Sequence, residues 1–442
     1  MKYAGRLRKI LMRSIERICN NPQECFVSPD KNFTRSGKFT AQDIFKCILT
    51  MEGTALSHEL LNYFDFRTDT PTKSAFVQAR AKIKASAFET LFYDFADSSN
   101  ENKLFMGYRL LAGDGSDVHI PTNPLDERSF HPNTNGAKSY NLLHLNALYD
   151  LVAHTYTDAV IQKRLDWNEH RAFIEMTKHH LNDTVPVIFI ADRGYESYNN
   201  MAHIIEEKNK FLIRIRSSKN SSIISGLDLP DGEFDISLTY KLVRKRTNEI
   251  KNMKKSDKLV RMISSSATFD FLPLKTEKGT PAVIYELPVR IVRIQITDNT
   301  YEIIATNLPV HEFSADIIKQ LYAMRWGIET SFRDLKYTIG LLHFHAKKEE
   351  SILQEIWSRM LLYNFSELIA SHTPIKNENR KHPYRINFSQ AVHICRNFLL
   401  RRISPSNVEV LVAAHILPVR LGQNHPRVLS KKHTAYFIYR IA

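Results

Sequence analysis

Residues 185–195 are VPVIFIADRGY, and this short stretch decides the fold class. Its apolar run is continuous rather than alternating, as expected of a strand that is buried on both faces of a sheet. A helical pattern precedes it at 168–181, and a second helical pattern at 197–209 is followed by a strand pattern at 210–216. Strands that alternate with helices in this way predict an α/β fold.

A second apolar stretch, YRLLAGDGSDVHIP at 108–121, contains Asp114 just as the first contains Asp192. Each aspartate is predicted to end an apolar strand, Asp114 after YRLLAG and Asp192 after VIFIA. The segment 140–161 then predicts two strands around a tight connection. Functional groups gather at the carboxyl ends of strands in an open α/β sheet. Two carboxylates brought together there repel each other, and a divalent cation between them relieves the repulsion. Taken singly, each aspartate is more simply explained as the start of a turn.

The pattern predicts five segments along the chain. They are a helical N-terminal region at 1–104, the first part of a core at 105–216, a β-rich insertion at 217–300, the second part of the core at 301–345, and a helical C-terminal region at 346–442. In the N-terminal region the third predicted helix carries Gln78, Arg80, Lys82 and Lys84. That helix either docks in a DNA groove or forms the solvated basic face of a small bundle.

Between Lys241 and Arg261 the β-rich insertion holds nine Lys or Arg residues against two acidic residues. A basic antiparallel sheet can hold a phosphate backbone, so Lys241, Arg244, Lys245 and Arg246 are candidate DNA contacts. A solvated run of charge explains each of these residues equally well.

One helix is predicted from Ser314 through residues 316–336, DIIKQLYAMRWGIETSFRDLK, with Ser314 as its N-cap. Four polar residues of this helix fall within an arc of roughly 60°. They are Tyr322, Arg325, Glu329 and Lys336. Periodicity alone allows this stripe to be a salt-bridged surface.

The spacing of these four residues, Y-(2)-R-(3)-E-(6)-K, resembles the signature of the insertion sequence 4 family of DDE transposases. The segments GDGSDVHIP and IADRGY are similar to the first and second aspartate motifs of that family, and they come in the expected order. The resemblance covers about 105 to 345 of this sequence and extends to the two ends only in general character.

The resemblance implies a ribonuclease H-like catalytic core with Asp114, Asp192 and Glu329 as catalytic and metal-binding residues. Two Mg²⁺ ions are implied, for which Mn²⁺ may substitute, with Asp114 shared and the other two carboxylates holding one ion each. Tyr322, Arg325 and Lys336 would contact phosphates. The implied reaction is DNA cleavage followed by transfer of the 3′-OH into target DNA. The implied partners are the terminal inverted repeats of the element, target DNA and a second copy of the chain in a synaptic dimer.

Several neighbouring residues were weighed against these assignments. Asp117 is a rival for the first carboxylate, and His119 is near enough in sequence to reach a metal ion, although a core or turn role is the simpler interpretation. Asp334 is predicted to be solvated, and Arg193 is a candidate DNA contact because it follows Asp192. Glu169, in a region similar to the family, is given no catalytic role.

Some relatives use a tryptophan of the β-rich insertion to support a flipped base during hairpin formation. The three tryptophans here are Trp167, Trp326 and Trp357, and none lies in the insertion. The sequence therefore leaves open whether a hairpin forms or whether Tyr240, Phe269 or Phe271 takes that role.

Composition favours a nucleic acid partner, because 61 Lys and Arg against 47 Asp and Glu give a net charge of +14. The four cysteines form no CxxC pair, which predicts neither a zinc site nor disulfides and suits a reducing cytosol. No apolar run is long enough for a membrane span. The family resemblance implies a bacterial cytoplasmic protein on the nucleoid. The rivals are a ribonuclease H-like nuclease that cuts without joining, and a domesticated DNA-binding protein.

Overall fold

The structure is a computed structural model, and it describes residues 2–132, 139–181, 183–217, 222–275, 277, 280–297, 300–375 and 382–419. The end of the predicted C-terminal region, 420–442, lies outside the described residues. None of the helices formed by the described residues is long and apolar enough to cross a membrane.

The described residues form fourteen α-helices. These are α1 Tyr3–Cys19, α2 Pro22–Cys25, α3 Ala41–Thr50, α4 Leu56–Tyr63, α5 Lys73–Arg80, α6 Ala85–Ser99, α7 Glu169–His179, α8 Tyr198–Glu206, α9 Asn248–Ser256, α10 Ala315–Met324, α11 Trp326–Tyr337, α12 Glu349–His372, α13 Phe388–Leu399 and α14 Val408–Ala414. The expected N-cap is confirmed at Ser314. Thr72 caps α5, and Thr40 forms a capping box with Asp43.

The same residues form twelve β-strands. These are β1 Arg109–Ile120, β2 Phe130–His131, β3 Tyr140–Asp150, β4 Thr155–Lys163, β5 Val187–Ala191, β6 Lys210–Ile215, β7 Phe234–Val243, β8 Val260–Met262, β9 Ile284–Thr297, β10 Thr300–Thr306, β11 Tyr384–Ile386 and β12 Ile416–Pro418. The alternation of strands and helices predicted between 108 and 216 is confirmed.

Ten of these strands form one mixed sheet in the order β2-β3-β1-β5-β6-β10-β9-β7-β8, with β4 paired to β3. Strand β1 is antiparallel to β3 and parallel to β5, and β5 is parallel to β6. The chain is therefore a mixed α/β protein, as predicted. The strands of the β-rich segment continue this sheet, because β10 pairs with both β6 and β9.

Alternate residues of β5 are buried on opposite faces of the sheet, which explains its continuous apolar sequence. Ile188 and Ile190 pack with the N- and C-terminal helices, whereas Val187, Phe189 and Ala191 pack with α7 and α8. The central strand of the fold is thus covered by helices on both sides.

The N- and C-terminal helices pack together around α12, most of whose residues are buried. Arg80 was predicted to be a possible DNA contact, and the structure contradicts this because its side chain is only 3% exposed and pairs with Glu355 at 2.8 Å. Lys82 is exposed and Lys84 is half-buried, with its amine donating to the Gln23 carbonyl. Arg80 therefore cannot serve as the central cation of a DNA-binding face on α5.

Two sequence predictions about element boundaries were wrong. The long helix predicted from Ser314 is divided at Arg325 into α10 and α11, and the backbone at the junction makes tighter bonds from Arg325 to Tyr322 and from Ile328 to Arg325. The β-rich segment also contains a helix that was not predicted, α9, whose one buried residue, Ile250, leaves little apolar periodicity to detect.

Candidate active site

Asp114 and Asp192 lie next to each other on neighbouring parallel strands. In the register of β1 and β5, Gly113 is opposite Ala191, so the two aspartates follow paired residues. Asp192 ends its strand as predicted, and its carboxylate accepts the backbone N–H of Gly194 at 2.6 Å. Asp114 does not end its strand, because β1 runs on to Ile120 in pairing with β3. The prediction that both aspartates follow a strand was therefore wrong for Asp114.

Asp114 stands between two glycines that are both packed closely from the side of α7. A Cβ atom on Gly113 would lie 2.5 Å from the Phe173 ring, and one on Gly115 would lie 2.3 Å from His144 Nε2. No larger residue fits at either position without movement of these side chains. The motif Gly-Asp-Gly thus reflects close packing on both sides of the acid.

The electrostatic environment of Asp114 disfavours its charged form. Burial raises the pKa of Asp114 to about 6. The backbone N–H of Gly115, 2.9 Å from Asp114 Oδ1, opposes this rise, as does Arg325, whereas the negative charges of Asp192 and Glu329 add to it. The negative charges of Asp192 and Glu329 therefore both act on the buried carboxyl group of Asp114.

Glu329 lies on α11, and its carboxylate accepts a hydrogen bond from Arg325 Nη2 at 2.9 Å. Arg325 is buried, and its guanidinium lies 5.5 Å from the Tyr322 ring and 5.7 Å from the exposed Trp326 ring. Tyr322 is 5% exposed, so only a small part of it faces solvent. Although α10 and α11 are separate, the junction at Arg325 keeps these side chains together.

Lys336 is half-buried on the same helix as Glu329. Burial lowers the pKa of Lys336, while the negative charges of Asp117 and Asp114 oppose that effect. No hydrogen bond or ion pair holds its amine within the described part of the chain, since the acids around it lie beyond contact distance. The structure thus places the Lys336 amine within electrostatic range of Asp114 and of Asp117.

The three carboxylates are a donor set that hard divalent cations prefer. Within the described ranges, however, no three His, Cys, Asp or Glu side chains are close enough together to ligate one metal ion. The Glu329 carboxylate is instead paired with Arg325 at 2.9 Å.

The carboxylate of Asp117, the rival to Asp114, lies 2.8 Å from His144 Nδ1. His144 Nε2 lies 3.0 Å from Glu169 Oε1, and the Trp167 ring stacks on the imidazole at 4.3 Å. The sequence analysis missed this cluster, although the segment WNEHR containing Trp167 and Glu169 was a signal that could have found it.

Other residues weighed from the sequence have ordinary packing roles. His119 packs against Tyr140, with ring centroids 4.9 Å apart. Asp334, predicted to be solvated, is half-buried, and burial raises its pKa. Tyr240 and Phe269 are buried, so neither offers a face to a flipped base, and Phe271 packs against His203.

The candidate basic contacts divide into internally bonded and exposed residues. Lys241 pairs with Asp257 at 3.0 Å, Arg244 donates to three backbone carbonyls, and Lys245 donates to the carbonyls of Glu277 and Thr280. Two others, Arg193 and Arg246, are exposed. These two retain free surface for a polyanion.

Comparisons with known proteins agree with the motif resemblance. The profile of the family described as "Transposase DDE domain" matches residues 106–365, more than half of the chain. The chain is 21% identical over 383 residues to the transposase InsG for insertion sequence element IS4 of Escherichia coli (strain K12), covering 82% of this chain and 77% of that protein.

Among solved structures, the chain is similar to piggyBac transposase in a synaptic complex with hairpin DNA. The TM-score is 0.46 with 10% identity, over 96% of this chain and 87% of that one. This likeness is too distant to carry a conclusion. On the family match, the chain belongs to the transposases that share the transposase DDE domain.

Proposed function

We propose that this transposase binds the terminal inverted repeats of its insertion sequence, cleaves DNA phosphodiesters in a Mg²⁺-dependent reaction, and transfers the 3′-OH into target DNA. The observation that carries the proposal is the pairing of Asp114 and Asp192 on adjacent parallel strands, with the charge of Glu329 acting on Asp114. Like-charged, partly buried carboxylates are stable together when a cation joins them.

We further propose that the core is ribonuclease H-like. The strand order β4-β3-β1-β5-β6 supports this, since three antiparallel strands are followed by two that run parallel to β1. In this division the core comprises 105–216 and 301–345, the β-rich insertion 217–300, and the helical regions 1–104 and 346–442. The N-terminal region would contribute to DNA binding.

Asp114, Asp192 and Glu329 would hold Mg²⁺, with Mn²⁺ as a possible substitute. When bound, the metal would activate a water or 3′-OH nucleophile and stabilise charge on the leaving oxygen. Before binding, Arg325 holds the Glu329 carboxylate, and the Gly115 N–H orients Asp114. A phosphate entering the site would compete for Arg325, which would free Glu329 to turn toward the two aspartates.

Tyr322, Arg325 and Lys336 are proposed to contact phosphates beside the scissile bond, and the Tyr322 ring lies 5.5 Å from the Arg325 guanidinium. Arg193 and Arg246 would contact the backbone farther away, as their exposure allows. Lys241, Arg244 and Lys245 would shape this surface and could add weaker contacts at its edge. The excess of positive charge supports a DNA partner for these groups.

We propose that the active form is a homodimer that holds both element ends in a synaptic complex. It would work in the bacterial cytoplasm on nucleoid DNA. The test is an assay of DNA carrying the element's own ends with Mg²⁺, comparing wild type with Glu329→Gln.

Cutting and joining by wild type, with DNA binding alone by the variant, would support the proposal. Cutting without joining by wild type would favour the ribonuclease H-like nuclease, and binding without cutting by wild type would favour a domesticated DNA-binding protein. Undiminished cutting by Glu329→Gln would overturn the assignment of α11.

A further inference from the structure

A histidine with a carboxylate near each ring nitrogen lies on β3, the strand paired with the one that carries Asp114. The His144 side chain is 3% exposed, with Asp117 Oδ1 at 2.8 Å from Nδ1 and Glu169 Oε1 at 3.0 Å from Nε2. Trp167 stacks on one face of the ring. A carboxylate oxygen therefore lies within 3.0 Å of each ring nitrogen, and the Asp117 contact at Nδ1 also has hydrogen-bond geometry, so a turn of the ring would lose both contacts. Burial opposes its charged form, but the two carboxylates outweigh burial and raise the pKa of His144.

The fixed ring touches the backbone beside Asp114. A Cβ atom on Gly115 would lie 2.3 Å from His144 Nε2 and 3.1 Å from Glu169 Oε1, so the imidazole edge and the carboxylate both border residue 115. The N–H of Gly115 in turn donates to Asp114 Oδ1 at 2.9 Å. The position of His144 therefore limits the position of the peptide that orients the Asp114 carboxylate.

We propose that His144 is a positioning residue that, held by Asp117 and Glu169, fixes the Gly115 peptide and thereby the Asp114 carboxylate for metal binding. This inference rests on the proposed function, since it takes Asp114 as a metal ligand. A histidine that only fills space in the core does not need a carboxylate at each nitrogen. Groups that orient metal-binding side chains typically change metal affinity or activity by about 10–100-fold when they are replaced.

The test is direct binding of Mn²⁺ to the full chain, followed by electron paramagnetic resonance of the free ion, with thermal melting measured in parallel. His144→Gln removes the second donor, and we expect it to weaken Mn²⁺ binding by about 10–100-fold. The control is His131→Gln, which replaces a ring-stacked histidine of the same sheet, 4.7 Å from Tyr140, and should leave binding unchanged.

Glu169→Gln keeps the imidazole and weakens only one of its contacts, so it gives an answer even if His144→Gln does not fold. We expect a smaller loss of Mn²⁺ affinity in the same direction. A second pair of variants tests the contact between the His144 ring and Gly115. Gly115→Ala should impair binding more in the wild-type background than in His144→Ala, where the ring that meets the new methyl group is gone.

The positioning role would be overturned if folded His144→Gln or folded Glu169→Gln bound Mn²⁺ as tightly as wild type. Asp114→Asn separates this failure from that of the proposed function. If Asp114→Asn loses Mn²⁺ binding while the His144 and Glu169 variants keep it, only the positioning role fails. If Asp114→Asn also keeps it, Asp114 is not a metal ligand and both proposals fail.

Discussion

Two groups of buried charge in this molecule differ in how they are compensated. In the helical part, Glu355 is 1% exposed and bonds to Arg80, and it lies 3.7 Å from His345, which also faces Glu59 at the same distance. Asp114, by contrast, faces the negative charges of Asp192 and Glu329. The helical network has a partner for each acid, and the carboxylate site has an excess of acid.

The pKa values record this difference. Burial acts to raise the pKa of Glu59 and Glu355, but their hydrogen bonds and positive neighbours outweigh it and lower each to about 2. For Asp114, burial and the nearby acids outweigh the Gly115 hydrogen bond and the charge of Arg325, and the pKa rises to about 6. A compensated network of this kind holds a fold together, whereas an uncompensated cluster stores repulsion that a cation can relieve.

The largest expected effect is on chemistry at the uncompensated cluster. Asp114→Asn should reduce DNA cleavage by more than about 100-fold, the upper end for groups that only orient metal ligands. Its stability without metal should not fall, because the substitution removes a repelled charge. Cleavage rates and thermal melting of wild type and Asp114→Asn measure these two effects. Unimpaired cleavage by the variant would show that the carboxylate site has no special role in the chemistry.

The next effect is on stability at the compensated network. Glu355→Ala should destabilise the protein by about 3–5 kcal/mol, because it leaves Arg80 buried without its carboxylate. Urea denaturation measures the change. The control is the exposed pair Arg67 and Asp69, where Asp69→Ala should change stability by no more than about 1 kcal/mol. Equal losses in the two variants would contradict the account.

The same network should make the free energy of unfolding depend on pH. The two glutamates lose their stabilising contribution at low pH, and His345 loses its contribution at high pH. The lowered pKa values of Glu59 and Glu355 mean that their contribution is present above about 4.5 and is lost as the pH falls toward about 2. The pKa of His345 is raised to about 9 against burial by its carboxylate neighbours, so its contribution is present below 6.5 and is lost as the pH rises through about 9.

Unfolding of wild type and His345→Gln at pH 6 and pH 9.5 tests this directly. The difference in unfolding free energy between the two proteins should shrink at the higher pH. A difference that stays constant or grows would show that His345 is not charged within the network.

The smallest effect concerns the basic segment, where the same distinction between compensated and free charge holds. Arg246→Ala should weaken DNA binding modestly for all sequences and reduce the slope of log affinity against log salt by about one. Arg244→Ala, which removes three bonds to backbone carbonyls, should lower stability more than it changes the slope. The opposite result for the two arginines would contradict the assignment of their contacts.

The elements with a strong apolar period could be predicted from the sequence. The features that depend on packing between distant segments could not. The continuous run of β5 and the N-cap of α10 are readable locally, since each depends on residues close in sequence. The break at Arg325, the continuation of β1 past Asp114 and the burial of Arg80 depend on contacts with distant segments. No local pattern records those contacts.

The site shows the same limit. The spacing on α10 and α11 predicted that Arg325 and Glu329 lie together, and they do. Spacing could not predict that His144, on an apolar strand, lies between Asp117 and Glu169, because those three residues meet only through the pairing of β1 with β3 and the packing of α7.

The most direct test of the central claim is thermal melting with and without Mn²⁺ for wild type, Asp114→Asn, Asp192→Asn and Glu329→Gln. A cation that joins the three carboxylates binds only the folded chain and raises its melting temperature. The account predicts a rise with Mn²⁺ for wild type and little or none for each variant. A wild-type protein that Mn²⁺ does not stabilise, or variants that it stabilises equally, would contradict the claim that these residues form one metal site.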